Sequence, residues 1–256
     1  MAKDKLARRE SNLPVAEGYA ADADAGFEHA DAAAFSIPRF YMLQPLSPQV
    51  AKKGDAYVPG AEAGMIFNSV TKAIYPVLYV VPVLYRQSFV EWHPRDGGGG
   101  IVAEHAVLDP GWKREERGPF RNDANGTIVN DTRSFIVLAG GKPGVDADRE
   151  PGVISMTATQ IRRAMDWMTV MGQKQGHGPD GHRFRLPMFA SVYELTGEYQ
   201  ENDTGNWYAW KVVDTGTLLP ADAPAYGEAK ALRKLFLAGK AVAEAPVADA
   251  SAAERM

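Results

Sequence analysis

The sequence predicts a mainly β protein: an antiparallel sheet or OB-like barrel with an inserted mid-chain helix and a C-terminal helix. Three observations carry this. Val77 to Arg95 is the densest apolar, β-branched and aromatic run in the chain, and such runs favour strands. Several shorter runs of the same kind are separated by hairpin-type turns. Only two stretches carry helical spacing, and no regular β-α-β alternation appears, which argues against a doubly wound parallel sheet.

Residues 1–34 are read as a disordered acidic arm, because Glu17, Asp22, Asp24, Glu28 and Asp31 lie among alanines and glycines with few apolar anchors. A single domain is expected over residues 35–239. It begins with an extended segment at Phe35–Gln44, where Pro38, Pro45 and Pro48 disfavour a helix. Lys52–Asp55 and Pro59–Gly60 are turns, and Met65–Tyr75 is a strand with a turn near Asn68 and Ser69. Val77–Val83 reads as a strand buried on both faces. From Tyr85 it alternates, with Tyr85, Gln87, Phe89 and Glu91 on one side and Arg86, Ser88, Val90 and Trp92 on the other. Pro82 cannot donate to a ladder, so it should mark an edge or a bulge.

Gly97–Gly100 form a glycine loop, and Ile101–Leu108 returns as a hairpin partner. Residues 109–131, rich in Gly, Pro, Asn, Asp and mixed charge, read as a long exposed loop. Thr132–Gly140 is the next strand. Val153–Met156 leads into a helix with Thr157 or Thr159 as N-cap and Ile161, Met165, Met168 and Met171 as its apolar face. Gly172 and Gly176 end it, and Gly176–Gly181 is a turn. Phe184–Leu195 is a strand broken by Pro187, and Trp207–Val213 is a hairpin strand after a turn at 202–206. Pro224–Ala238 is a helix with Ala229, Leu232, Leu235 and Phe236 inward and Gly239 as its stop. Residues 240–256 are expected to be a disordered tail.

With 28 Lys and Arg against 32 Asp and Glu, a net charge of −4 excludes a wholly basic nucleic-acid binder while leaving room for a local basic groove. The absence of cysteine excludes disulfides, thiolate catalysis and cysteine zinc sites. No apolar run approaches the roughly 20 residues that span a bilayer. The N-terminus lacks the apolar core of a signal peptide. A soluble protein in the cytoplasm is the expectation.

Phosphate-loop, dinucleotide, zinc-protease and nucleophile-elbow motifs are all missing. The glycine run lacks the lysine and helix start of a phosphate cradle. His177 and His182 flank a glycine-rich turn with Asp180 the only carboxylate nearby, a pattern read as an exposed pair. Asp109, Glu115, Glu116, Asp123 and Asp131 fall on or beside the predicted loop, whereas a two-metal nuclease needs carboxylates on rigid elements. No catalytic residue, metal or cofactor is assigned, and the chain is not read as an enzyme.

The positive signal is aromatic residues interleaved with cations, the combination that lets bases stack while phosphates are held. Tyr85, Arg86, Phe89, Trp92, His93 and Arg95 lie on the central strand, and Trp112, Lys113, Arg114, Phe120 and Arg121 on the long loop. Arg183, Phe184 and Arg185 open a late strand, and Trp207, Tyr208, Trp210 and Lys211 lie on another. Residues 160–190 carry a net of three positive charges. Arg86 and Trp92 share one strand face, which favours an exposed aromatic-basic surface there. Trp207 and Trp210 fall on opposite faces, so one of the two is expected to be buried.

Ile37–Pro48, Gly64–Thr71, Val80–Val83 with Tyr85, Glu91, Trp92, Pro94 and Arg95, Pro187–Phe189 with Val192–Leu195, and Gly205–Trp210 resemble, in that order, a family of tailed-phage proteins. That family is associated with phage replication and recombination modules and with single-stranded DNA-binding proteins of OB fold. The resemblance covers residues 35 to about 240 and offers no catalytic motif. It implies an accessory DNA-binding protein. The leading expectation is a non-catalytic single-stranded DNA-binding protein of a phage replication or recombination system. Tyr85, Arg86, Trp92, Arg95, Trp207 and Lys211 would line its groove, and phage or host replication proteins would dock on the acidic termini. An interaction or virion-associated structural protein is the alternative, and a metal-dependent nuclease the third. Oligomeric state is left open.

Overall fold

The computed structural model describes residues 25–26, 36–94, 100–114, 118–144, 147–203 and 205–239. The expected acidic arm (apart from residues 25–26), the C-terminal tail, Arg95, Gly97–Gly99, Glu115 and Glu116 lie outside them. The strands are β1 (Arg39–Met42), β2 (Ile66–Asn68), β3 (Ile74–Tyr75), β4 (Val77–Trp92), β5 (Ile101–His105), β6 (Lys113–Arg114), β7 (Phe120–Asn122), β8 (Thr127–Gly140), β9 (Glu150–Thr157), β10 (Gln175–His177), β11 (Arg183–Arg185), β12 (Ser191–Asn202) and β13 (Gly205–Leu218). The helices are α1 (Ile161–Gln173) and α2 (Pro224–Leu237).

The fold is mainly β, with a strongly curled half-barrel sheet in the order β13-β12-β4-β8-β9-β1-β2-β3. It is mixed, not purely antiparallel, because β1 runs parallel to β9 through Arg39↔Val153 and Phe40↔Ile154. The strand order ends at β13 and β3, which do not pair with each other, so the barrel does not close through a continuous ladder.

Residues from both ends of the sheet meet in one cluster: Phe40 of β1, Ile66 of β2 and Trp210 of β13 join Leu78, Val80, Phe135, Ile154 and Tyr193. Ala164, Trp167 and Met171 of α1 complete it, so α1 plugs the concave face. On the convex face α2 brings Ala225, Ala229, Leu232 and Phe236 onto Val81, Val83, Ile136, Leu138 and Val192. Both faces of the central strands are therefore dry, which is why Val77–Val83 is continuously apolar. Each fully buried side chain of this kind contributes about 1.5–3 kcal/mol.

Pro82 sits at a register irregularity between β4 and β8, between Pro82 and Leu84. Before it Leu78 and Val80 point to the concave side; after it Tyr85 does. The bulge thus resets the phase of the strand.

The mouth of the half-barrel is bridged by side chains. The amide nitrogen of Gln44 donates to the Tyr208 carbonyl, and its oxygen accepts the Tyr208 N–H, both at 2.9 Å. Gln160 Oε1 accepts from Trp210 N–H at 3.1 Å. Two glutamines thereby occupy the outer edge of β13, as a further strand would. Beside them the backbones of Gly64 and Gly197 touch: a Cβ on Gly197 would lie 2.3 Å from the Gly64 carbonyl oxygen.

Several expectations are corrected. Residues 109–131 are not one exposed loop, since β6, β7 and the start of β8 form a small antiparallel meander there. Helix α1 is preceded by a 3-10 turn at Ala158–Gln160, so Thr157 stands at the N-cap of that turn and Gln160 at the N-cap of α1 itself, neither with a side-chain capping bond. Its buried face is Ala164, Trp167 and Met171, while Met165 is 53% exposed. The turn expected at Gly176–Gly181 is the bend of a two-stranded ribbon, β10–β11. Helix α2 matches its predicted bounds within a residue, with Leu235 partly buried.

Candidate nucleic-acid interface

The structure brings the sequence candidates together in three places and separates those places. β8 holds the whole of one edge of β4 from Tyr79 to Trp92. On the other edge β12 pairs with Val77–Val80 and β5 with Phe89–Trp92. Lys211 pairs with Thr196, which pairs with Val77. Lys211 is thus level with one end of β4 and Trp92 with the other, roughly 50 Å apart along the strand at about 3.3 Å per residue. One groove lined by both Trp92 and Lys211 is not formed.

At the far end of β4 the concave face changes character. Glu91 is 4% exposed and accepts hydrogen bonds from the Thr127 hydroxyl, Asn122 Nδ2 (3.1 Å), Asn125 Nδ2 (3.0 Å) and His105 Nε2 (2.9 Å). The Thr127 bond is the largest cause, and with those from Asn125, His105 and Asn122 it outweighs burial and lowers the Glu91 carboxyl to about 2. One carboxylate thereby ties together β4, β5, β7 and β8. Trp112 packs edge-on against His105 at 4.9 Å, and Phe89 meets Phe120 at 6.2 Å. Phe89 is buried, so its ring is occupied by packing. Tyr85 is half-buried against Phe135 and accepts from Arg133, which also pairs with Asp131.

On the convex side Arg86 is exposed, but Ser88 and Val90 beside it are buried and Trp92 is half-buried. That face is not the open aromatic-basic surface the alternation predicts. Lys113 and Arg114 are exposed on β6, Lys113 paired with Asp123 at 2.6 Å and Arg114 lying over Phe120 at 5.5 Å. At the opposite end of the sheet Trp207 is half-buried and Lys211 exposed, while Trp210 is 3% exposed in the core. Trp210 is the buried member of the tryptophan pair.

The third place is the β10–β11 ribbon, which pairs with no strand of the main sheet. Its register, Gln175↔Arg185, Gly176↔Phe184 and His177↔Arg183, puts Arg183, Arg185, Gln175 and His177 on one face. Arg183 and Arg185 are exposed, and Phe184, on the other face, packs its ring edge over Gly176 while staying 46% exposed. Any Cβ at Gly176 would lie 2.9 Å from that ring. The chain leaves the ribbon through Leu186, whose N–H bonds the Lys174 carbonyl at 3.0 Å. The Met188–Ala190 turn then packs against β4. The sequence supplied Arg183, Phe184 and Arg185 but not the pairing that aligns His177 with them; the Gly178-Pro179-Asp180-Gly181 bend was the available signal.

Of the carboxylates weighed for metal chemistry, Asp123 and Asp131 are each paired with a cation. Among the described residues no group of three or more His, Asp or Glu could hold a metal ion, and no helix is long and apolar enough to cross a membrane.

Neither a curated protein nor a solved structure matches the chain. The model of the Pam3 phage gp34-like protein family matches residues 7–242. With nearly the whole chain inside that match, from before the half-barrel to past α2, the protein belongs to the Pam3 phage gp34-like family.

Proposed function

We propose that this phage-family protein is a non-catalytic single-stranded DNA-binding protein that serves replication or recombination, with the β10–β11 ribbon as its primary contact. The observation that carries the reading is the ribbon's face of Arg183, Arg185 and His177, backed by the exposed Phe184 ring. Arginine forks hold phosphate oxygens, and an exposed ring offers a stacking surface worth roughly 1–3 kcal/mol per base. Such a ribbon, outside the main ladder, can meet a strand without disturbing the core. Arg86 on β4 and the Lys113–Arg114 strand are secondary contacts for a longer strand; Phe89 and Trp210 are structural.

Fluorescence anisotropy of labelled oligo-dT, with duplex DNA and single-stranded RNA as competitors, tests this. Binding should weaken as salt rises, because phosphate contacts release counterions. The double variant R183A/R185A should bind more weakly and lower the salt slope by about 1.4. Absence of binding at low salt ends the reading.

A second reading, an interaction or virion-associated structural protein, draws on other exposed apolar residues: Val107 at 75%, Leu46 at 59% and Tyr199 at 50%. Concentration-dependent assembly without DNA affinity would select it.

A further inference from the structure

β13 ends the main sheet and pairs only with β12. In an antiparallel ladder the backbone groups of successive residues point alternately toward the neighbouring strand and away from it. Two glutamines mark which residues of β13 point away: Gln44 bonds the N–H and carbonyl of Tyr208, and Gln160 accepts the N–H of Trp210. By the same alternation Val212 and Asp214 point outward too. There the cover stops. Neither backbone has a partner on that side among the described residues, and Val213 between them is 41% exposed. A sheet edge capped along one half and bare along the other is a template for a further strand.

The bare half is its own complement. Its open groups, on Val212 and Asp214, lie symmetrically about Val213. In an antiparallel pairing of two copies centred on Val213, every open N–H meets an open carbonyl. The neighbouring registers do not achieve this. Centred on Val212, the pairing calls on the Trp210 N–H, which Gln160 already holds. Centred on Asp214, it sets two carboxylates face to face and calls on the Gly216 N–H, which donates to Asp214 Oδ1 at 3.0 Å. The register on Val213 brings no like charges together. Lys211 comes opposite the uncharged Thr215 of the second copy, and Asp214 is compensated within its own chain by Lys174 at 2.6 Å. Val212 turns inward against the cluster under α1, which leaves Val213 to face the second copy on the other side of the strand.

We propose that the bare half of the β13 edge is a self-pairing site, at which two copies of this chain join their sheets about a two-fold axis at Val213. The Val212 N–H of each copy donates to the Asp214 carbonyl of the other, and the Asp214 N–H to the Val212 carbonyl. The two Val213 side chains meet on the axis as a non-hydrogen-bonded pair, their Cβ atoms about 5 Å apart. Two-fold pairing is closed, so it consumes the edge in a dimer and leads to no further growth. The paired stretch is short, which puts the dimer among weak, concentration-dependent interfaces.

Sedimentation equilibrium of the full chain, from micromolar to millimolar concentration, tests this. A reversible dimer is expected. Amide exchange at Val212 and Asp214 should slow as it forms, while exchange at Tyr208 and Trp210, already capped, stays unchanged. Residue 213 faces itself, so Val213→Lys and Val213→Asp should each weaken the dimer about tenfold by setting like charges opposite one another. An equimolar mixture of the two variants should restore it, as a mixed dimer of opposite charges. The position is exposed, so both variants should keep the wild-type Tm. A chain that stays monomeric at millimolar concentration would overturn the proposal. So would a dimer that both variants leave as strong as wild type, or one that their mixture fails to restore.

Discussion

The two ends of β4 are held by different physics. Around Leu78–Val83 the strand is dry on both faces, packed by α1 on one side and α2 on the other. Around Phe89–Trp92 it is held by a polar hub, with Glu91 receiving hydrogen bonds from three other segments. The first region draws its stability from area removed from water and is insensitive to pH. The second draws it from satisfied polar groups, which are worth little net when complete and much when one member is removed.

Five tests break or sharpen that contrast. Phe135→Ala, in the dry half, should cost about 3–5 kcal/mol in denaturant unfolding. Glu91→Ala should cost about 2–3 kcal/mol, since it removes the one acceptor shared by the Thr127, Asn122, Asn125 and His105 side chains. The Glu91 folded-state carboxyl lies at about 2, below the ordinary glutamate value of about 4.5. Its contribution is therefore complete above about pH 4.5 and is withdrawn as pH falls toward 2. The loss at low pH should be on the order of 3 kcal/mol and absent in Glu91→Gln. Gly197→Ala drives a methyl into the Gly64 carbonyl and should cost about 1–3 kcal/mol, read as a lower Tm. R183A/R185A, on the exposed ribbon, should leave stability within about 0.5 kcal/mol while weakening oligo-dT binding.

The same contrast explains what was legible in the sequence. The dry half announced itself: Val77–Val83, Thr132–Gly140 and the α2 face Ala229, Leu232 and Phe236 carry periodic apolar patterns, and their strands and helix lie where the patterns put them. Pro82 marked its bulge by chemistry alone. The polar half was misread as loop because Asn122, Asn125 and Thr127 stabilise it through one carboxylate, leaving no apolar alternation to detect. Glu91 within an otherwise apolar strand was the available clue. In α1 two stripes of equal spacing competed, and the half-barrel's interior selected Ala164, Trp167 and Met171 over Met165. The parallel β1–β9 pairing joins segments more than a hundred residues apart, a register no local pattern encodes. For the candidate site, the arginines and aromatics were nameable one by one, but whether they share a surface depends on strand register, which split Trp92 from Lys211 and aligned His177 with Arg183.

The most direct test of the central claim is hydrogen–deuterium exchange of the full chain with and without oligo-dT at low salt. Exchange should slow across Gln175–Arg185, with the dry core around Leu78–Val83 unchanged. Binding that leaves Gln175–Arg185 unprotected would contradict it.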